Sequence, residues 1–482
     1  MRIVIVGAGA AGLTLASNLR NYDEETEIII FTESEDIAYS PCAIPLVLGG
    51  NIESFDDIIM HDANHYLDKN IQIHLSTSVT HVNSSKKTIT FEKDSNTEEI
   101  AYDKLVIATG SEIIAPDFDI DDMSNVFSLS NINDGRIIQD ALKDKKDIAF
   151  ISNYSVGIES AYELARKGYN VSFLEQSFAI LPLFLDVEMS EKLVELNEGV
   201  DFETNANVTG ISTNGSKKEI HFNDKTLTVD MVILPSSKVP SISLAKEAGC
   251  EIGDFGAVRI NEYLETSVED IYAIGDCVEV KSHITGTPTV SPAGTTAVRQ
   301  AMILANILTG NKLRFDPVVN TVVSKVGDYN YANSGITEGF ANMIGMPVVS
   351  AYIETCQKAR YYPENNKLYM KMISKPDGTI VGCQILSNGD LSSRIDILSF
   401  ILTENMKCEE LIQKEFSYTP SLAMVVNPIV QVAMELIKKL DRWFYLSRNQ
   451  LKLLKLFLLT NFNTQKSIKY MKNINFYYEK IH

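Results

Sequence analysis

The chain has 482 residues, of which 45% are hydrophobic and 22% are charged. This composition is typical of a globular protein, and the length is too great for one ordinary domain. The formal net charge of -20 argues against nucleic acid as a general partner, because a polyanion repels an acidic protein. The N-terminus runs straight into an apolar strand, so we expect no signal peptide. The apolar runs are much shorter than the roughly 20 residues that span a bilayer.

The six cysteines are scattered along the chain, and no two of them form a C-x-x-C pair. This spacing argues against a zinc site and against a two-cysteine redox motif, so no metal site is predicted. It fits reduced thiols, and we therefore expect a cytoplasmic protein.

The first 45 residues carry the strongest signal. An apolar run leads into Gly7-Ala8-Gly9-Ala10-Ala11-Gly12, a segment of helical period follows, and a second apolar run ends at Glu33. A strand, a Gly-x-Gly-x-x-Gly turn, a helix and an acid about twenty residues on are the parts of a dinucleotide-binding unit. The glycines admit a pyrophosphate at the helix N-terminus, and Glu33 is placed to bind a ribose.

A cysteine follows this unit closely. Ser40 is a good N-cap and Pro41 a good first helical residue, which places Cys42 in the first turn of a short helix ending near Gly49-Gly50. A helix N-terminus favours a thiolate, the reactive form of cysteine. The alternative is a buried structural cysteine.

A second βαβ unit begins at Asp147, with a predicted helix at Gly157–Lys167 and an acid at Glu175. Two such units in tandem imply two nucleotides. Glu175 favours NADH over NADPH, because a carboxylate suits a 2′-hydroxyl. However, Ser152 and Tyr154 stand where the first two glycines are expected, and Tyr154 is bulky where a pyrophosphate needs bare backbone.

Two more segments complete the predicted nucleotide domains. One strand is predicted over Leu227–Leu234, and another runs from Ile271 into Gly275-Asp276. The carboxylate of Asp276 at a strand end is suited to the hydroxyls of a cofactor's sugar-alcohol chain, and the first glycine loop would converge with it on one FAD. A helix is predicted over Ala293–Leu308.

From about Thr321 the pattern changes to strands followed by helices near Ser392–Thr403 and Val425–Lys438, which predicts an α+β unit. The basic, apolar tail after Asp441 has two open interpretations. One is an interfacial helix on a membrane, and the other is a helix packed on the domain or its dimer partner.

The glycine loop, the single Cys42 and the segment Ile271–Asp276 together resemble the class II pyridine nucleotide-disulfide oxidoreductases. More narrowly, the chain resembles their single-cysteine branch, which holds coenzyme A-disulfide reductase, NADH oxidase, NADH peroxidase and sulfur or persulfide reductases. The resemblance covers roughly residues 1–440. It implies a homodimer whose subunits bind FAD and NADH.

The resemblance also implies site residues. Cys42 would be the redox cysteine, and Tyr361 or Tyr362, together with Tyr418, would match tyrosines that reach the partner subunit's cysteine in the reductases. The expected cofactor contacts are Gly7, Ala8, Gly9, Ala11, Gly12, Glu33, Ser40, Val79 (adenine), Thr109, Gly110, Asp276, Ala293 and Thr296 for FAD, and Gly157, Glu159 and Glu175 for NADH.

The chain departs from the family pattern at several positions. Ala10 replaces a histidine of the oxidase and peroxidase members, which favours a disulfide, persulfide or polysulfide substrate. The places of basic and polar coenzyme A contacts are taken by Asn18, Asn21, Ala38 and Pro41. Ser237 replaces a glycine near the nicotinamide.

The fold class expected from these features is α/β, with two Rossmann-like nucleotide-binding domains and a C-terminal α+β dimerisation domain. The predicted boundaries are 1–115 and 243–320 for FAD, 116–242 for NAD(P), 321–440 for dimerisation and 441–482 for the tail. The predicted function is transfer of electrons from NADH through FAD to Cys42 and a small sulfur substrate. The alternatives are an NADH oxidase or peroxidase cycling through a sulfenate, and a partner-fed flavoprotein with a vestigial NAD site.

Overall fold

A computed structural model describes residues 1–152, 154–234 and 238–441. The chain forms two compact units. The first unit holds Met1–Gly335 and Leu386–Thr403, and the second holds Ile336–Ile385 and, of the described residues, 404–441. Within the described ranges, no helix combines the length and apolarity that crossing a membrane requires.

The N-terminal part of the first unit is built on a parallel five-stranded sheet. Its strands, in spatial order, are Ile271–Ala273, Lys104–Ile107, Arg2–Val6, Glu27–Phe31 and Ile71–His74. The side chains of the first four strands are mostly buried, as expected of a parallel sheet covered on both faces, whereas only Ile71 is buried in the edge strand Ile71–His74. Helices Ala10–Tyr22 and Gly294–Leu308 pack against each other beside it. An antiparallel sheet of Ser78–Asn83, Thr88–Lys93 and Asn96–Ala101 accompanies them.

A second parallel sheet repeats this plan in the middle of the chain. Its strands, in order, are Val126–Ser128, Met231–Leu234, Asp147–Ile151, Asn170–Leu174 and Val200–Glu203. Its helices are Ile132–Ala141, Ser155–Arg166 and Val187–Leu196. A second sheet here joins Lys225–Val229, Lys217–Phe222, Val208–Asn214 and Asp119–Ile120. The two parallel sheets confirm the predicted pair of Rossmann-like folds.

The single strand predicted over Leu227–Leu234 is wrong. The strand is interrupted at Asp230, and the segments before and after this residue belong to two different sheets. The Asp230 carboxylate accepts the backbone N–H groups of Lys146 and Asp147 at 2.9 and 3.0 Å, so this residue is a junction rather than part of a strand.

Shorter elements complete the first unit. Strands Val322–Val326 and Tyr329–Gly335 form a hairpin, and Ser111–Ile113 pairs with Lys238–Pro240. The remaining strands are Val258–Arg259, Val278–Lys281 and Pro288–Thr289. The remaining α-helices are Ile44–Gly49, Ala63–Leu67, Ser243–Glu247 and Ser392–Thr403, and the 3-10 helices are Pro41–Ala43, Asp56–Ile58 and Leu142–Asp144.

The second unit contains the antiparallel strands Val349–Cys356 and Lys367–Ser374, and helices Glu338–Met343 and Cys408–Leu411. Strand Ile380–Ser387 follows Lys367–Ser374 in the chain. The last described helix covers 428–441, three residues later than its predicted start, because Pro428 suits a first helical turn. The predictions for the tail concern residues that, beyond 441, lie outside the described chain.

Candidate active site

The glycines of the first loop have two different roles. Gly7 and Gly12 allow close packing of the backbone, and Gly9 leaves open space. Gly7 has a φ of +112°, and a Cβ on it would lie 2.1 Å from the Ala108 carbonyl oxygen. A Cβ on Gly12 would lie 2.0 Å from the Gly7 oxygen. By contrast, a Cβ on Gly9 would meet nothing within 4 Å. Gly9 is the N-cap of helix Ala10–Tyr22 and carries no side-chain cap, so open space lies where a helix start can receive a phosphate.

The other predicted FAD residues lie where the parallel strands end. Exposed Glu33 accepts a hydrogen bond of 2.6 Å from the Ser78 hydroxyl. Gly275 has a φ of +86°, and its Cβ would lie 3.3 Å from Ala11, so the segment before Asp276 adjoins the first loop. Burial raises the pKa of Asp276. These are the acids, glycines and helix start that FAD requires, and the residues fit this cofactor.

The remaining predicted contacts have varied surroundings. Thr109 donates to the Ser241 carbonyl at 2.7 Å, and the hydroxyls of Thr296 and Ser291 lie 2.9 Å apart. Ala293, the predicted first residue of this helix, is the N-cap of helix Gly294–Leu308, which begins one residue later. For the four other predicted contacts the structure gives burial or backbone conformation: Ala8 and Val79 are buried, Gly110 has a φ of +69°, and Ser40 is exposed.

Cys42 lies in the predicted place but not in the predicted electrostatic setting. It is exposed in the 3-10 helix Pro41–Ala43, which continues into helix Ile44–Gly49. Of the other cysteines, four are buried and Cys356 is half-buried, so Cys42 is the accessible thiol. The expected bias toward the thiolate is wrong for the protein alone. Desolvation by its surroundings, followed by the charge of Glu159, raises the pKa of Cys42.

Two helices that belong to the middle sheet contact the chain before and after Cys42. On one side, a Cβ on Gly135 would lie 2.6 Å from the Phe55 ring, and Arg136 pairs with Asp36 at 2.5 Å. On the other side, Lys167 donates to the Leu48 carbonyl at 2.9 Å. Helices outside its own sheet therefore contact the chain around Cys42.

Glu159 belongs to a half-buried polar cluster that the sequence did not predict. The Ser324 hydroxyl donates to its carboxylate, and the Tyr331 phenol lies 2.7 Å from the Ser155 hydroxyl. Burial raises the pKa of Glu159 to about 7, against the effect of the Ser324 hydrogen bond. The available sequence signal was the pair of acids, Glu159 and Glu163, one turn apart on a helix face that packing buries.

The second nucleotide loop is filled by a side chain. The Ser152 hydroxyl accepts the Tyr154 N–H at 3.3 Å, and a Cβ on Gly157 would lie 2.2 Å from the Ser152 hydroxyl oxygen. Glu175 is buried, and its carboxylate accepts the Ser177 N–H at 2.8 Å. Ser237 lies outside the described residues. The carboxylate of Glu175, which was predicted to bind the ribose of NADH, thus already accepts a hydrogen bond from the backbone two residues later.

The second unit brings two of the predicted tyrosines together. The hydroxyls of Tyr361 and Tyr418 lie 3.4 Å apart, and both side chains are exposed. The hydrogen bond to Tyr361 is the largest cause that raises the pKa of Tyr418. Tyr362 instead lies under the ammonium group of Lys358, 4.9 Å from its ring centre. The geometry therefore selects Tyr361 over Tyr362 as the partner of Tyr418.

Comparison with known families decides the identity of this scaffold. Residues 1–301 match the pyridine nucleotide-disulphide oxidoreductase family, and residues 322–428 match the dimerisation domain of the same family. The chain belongs to this family. The predicted recognition, fold class and FAD cofactor are confirmed, and the second match supports the predicted homodimer.

Individual relatives cover most of the chain. It is 40% identical over 448 residues to an NADH oxidase of Methanocaldococcus jannaschii, covering 92% of this chain and 100% of the relative. It is 26% identical to an NAD(P)H coenzyme A polysulfide/persulfide reductase of Pyrococcus horikoshii, covering 90% of this chain and 97% of the relative. The structure of an NAD-dependent persulfide reductase from A. fulgidus superposes with a TM-score of 0.88 at 29% identity, covering 92% of this chain and 84% of that one.

Membership of the pyridine nucleotide-disulphide oxidoreductases makes this chain an FAD-dependent NAD(P)H oxidoreductase. Gly7, Gly9, Gly12, Glu33 and Asp276 are the residues that would hold FAD. The unusual Ser152 loop follows strand Asp147–Ile151 of the middle sheet, within the part of the chain that matches the family over residues 1–301.

Proposed function

We propose that this protein is an NADH-dependent reductase of persulfides, polysulfides or small disulfides, with Cys42 as the residue that bonds to the substrate sulfur. The observation that carries this proposal is the single accessible thiol, Cys42, at the start of a helix that follows the FAD-binding unit. The names of the P. horikoshii and A. fulgidus relatives support it.

The chemistry of the chain begins at Cys42. Its thiolate attacks one sulfur of a substrate R–S–S–R′, so that a Cys42–S–S–R bond forms, the S–S bond of the substrate breaks and R′–S⁻ leaves. FAD, when bound, supplies the two electrons from NADH that this mixed disulfide needs for reduction.

The phenol pair is assigned to the leaving group. The pKa of Tyr418 is raised, so this phenol keeps its proton at neutral pH and is a hydrogen-bond donor. We assign Tyr361 and Tyr418 the role implied by the resemblance, which is donation to the thiolate that leaves at the partner subunit's cysteine.

Coenzyme A disulfide is the less favoured substrate. The Asn18 amide, at one of the expected coenzyme positions, donates to the Thr14 carbonyl of its own helix at 2.8 Å. No disulfide joins the six cysteines, all of which lie among the described residues, and this supports a reducing, cytoplasmic location.

NADH oxidation by oxygen is the second candidate, because the relative at 40% identity is named an NADH oxidase. The deciding experiment measures NADH consumption by the FAD-loaded enzyme, anaerobically with polysulfide, glutathione disulfide or coenzyme A disulfide, and separately with oxygen. Sulfur-dependent consumption that Cys42→Ser abolishes is the expected result. Faster consumption with oxygen than with any sulfur compound would establish the oxidase instead.

A flavin that dithionite reduces but NADH does not would overturn both candidates. In that case the Ser152 loop does not admit NADH, and a protein electron donor becomes the hypothesis.

A further inference from the structure

A buried glutamine joins helix Gly294–Leu308 to the turn that carries Asp276. The side chain of Gln300, within this helix, is fully buried. Its carboxamide oxygen accepts the backbone N–H of Gly275 at 2.7 Å. Gly275 directly precedes Asp276, the acid that would hold FAD, so Gln300 contacts this turn from within the protein.

Gly275 is the point at which the chain leaves the parallel sheet. Ile274, just before it, is still held by the sheet, because its N–H donates to the Ile107 carbonyl at 3.0 Å. Gly275 itself has a φ of +86°, and glycine has more backbone freedom than any other residue. The hydrogen bond from its N–H to Gln300 therefore restricts the direction in which Asp276 leaves the strand.

The carboxamide of Gln300 is only half satisfied by the described chain. Its amino nitrogen is buried, and no described residue accepts a hydrogen bond from it. A buried donor without an acceptor is destabilising, and an apolar side chain of the same size would avoid that loss. Core packing thus does not explain a glutamine here. The interaction that does require it is the bond to Gly275, next to the first glycine loop, since a Cβ on Gly275 would lie 3.3 Å from Ala11.

We propose that Gln300 is a positioning residue for FAD, which acts by fixing the Gly275 N–H and thereby the direction of Asp276. A turn that is already fixed does not have to be ordered by the cofactor, so a larger fraction of the protein is competent to bind it. The inference goes beyond the proposed function, because it concerns retention of FAD and holds for any substrate that the flavin reduces.

The test measures how tightly the holoenzyme keeps its FAD. Gln300→Met preserves the length and approximate volume of the side chain but cannot accept the Gly275 N–H. FAD that dissociates on serial dilution of the holoenzyme is measured by its fluorescence, which gives Kd. We expect Kd to rise about 5- to 10-fold, the effect of losing one hydrogen bond. An unchanged Kd would overturn the proposal.

Leu304→Val is the matched control for loss of helix packing. Leu304 is fully buried one turn later on the same helix, and its apolar side chain cannot bond to the turn. Urea unfolding of both variants measures how much each substitution weakens the fold. We expect Leu304→Val to weaken the fold but to keep a Kd near the wild-type value. A rise in Kd as large as that of Gln300→Met would show that helix packing alone controls FAD affinity, and would overturn the proposal.

Gln300→Glu tests rescue by a conservative change. At about pH 5.5 a buried carboxyl is protonated, so its carbonyl oxygen still accepts the Gly275 N–H and no charge is added. At this pH we expect Gln300→Glu to bind FAD nearly as tightly as wild type and more tightly than Gln300→Met. A Kd as high as that of Gln300→Met would contradict the assigned role of the oxygen.

Hydrogen exchange of the wild-type holoenzyme keeps the proposal open to refutation if the Gln300 variants do not fold. The N–H of Gly275 should exchange about as slowly as that of Ile274, which is bonded within the sheet. Exchange as fast as that of an exposed loop would show that Gln300 does not hold the turn. None of these measurements uses a sulfur compound, so failure of the proposed reductase activity would leave the role of Gln300 intact, and the reverse also holds.

Discussion

A Cβ atom on Gly157 would lie 2.2 Å from the hydroxyl oxygen of Ser152. The first and last positions of the second nucleotide loop are thus packed against each other, and the serine occupies the space that a glycine would leave free. The same hydroxyl accepts the N–H of Tyr154 just before the helix begins. The altered loop is an internally bonded structure, which explains how it departs from the family while the helix and sheet around it remain.

Gly157→Ala should destabilise the protein by about 1–3 kcal/mol, because the new methyl group overpacks a buried contact. Urea unfolding of the purified protein measures the change. The control is the double variant Ser152→Gly/Gly157→Ala, which removes the clashing hydroxyl. We expect the double variant to recover most of the loss. Additive effects of the two substitutions would show that the contact is not the cause.

Replacing Gly7 by alanine should impair folding, whereas replacing Gly9 by alanine should impair FAD binding. Gly7→Ala places a Cβ 2.1 Å from the Ala108 carbonyl at a φ of +112°, so the fold itself should be lost or severely weakened. Gly9→Ala meets no protein atom within 4 Å, so it should fold and bind FAD more weakly.

Circular dichroism of the apoproteins and FAD titration separate these two effects. A folded Gly7→Ala protein, or a Gly9→Ala protein with unchanged FAD affinity, would contradict the division of roles within the loop.

The sequence predicted the strand-loop-helix units because their signals are local: an apolar run, a glycine turn and an acid at fixed spacing. It also placed Cys42 correctly, since Ser40 and Pro41 start a helix by local rules. It missed the environment of Cys42, because Glu159, Ser324 and Tyr331 meet only when distant segments pack together. The break at Asp230 was missed for the same reason, since its hydrogen-bond partners lie some 80 residues earlier.

Tyr361→Phe and Tyr418→Phe should each slow turnover of the sulfur substrate about 100-fold, the lower end of the range for loss of an acid-base group. The two phenols are 3.4 Å apart, so the double variant should be little worse than either single one. The measurement is kcat with saturating NADH and polysulfide.

Tyr362→Phe is the control for this pair, since its ring contacts Lys358 and it would keep that contact without the hydroxyl. Its kcat should remain near the wild-type value. A loss in Tyr362→Phe as large as in Tyr361→Phe would show that the wrong phenol has been assigned.

Asp270 should give the fold an acid-sensitive contribution to stability. Its carboxylate pairs with Lys104 and Lys87, and these hydrogen bonds lower its pKa below the ordinary 3.8. A carboxylate whose pKa is depressed in the folded state stabilises fully above its unfolded pKa, and the effect is lost as the pH falls through the folded value. Asp270→Asn removes that contribution.

The free energy of unfolding of wild type minus that of Asp270→Asn should therefore be constant above about pH 5 and shrink in more acidic buffers. Urea unfolding at several pH values measures this difference, with Glu269→Gln as the control for an adjacent, exposed carboxylate. The control should track wild type. A difference that grows toward acid pH would mean that the Asp270 carboxylate is not stabilised by its lysines, and that the start of strand Ile271–Ala273 is held by its backbone contacts alone.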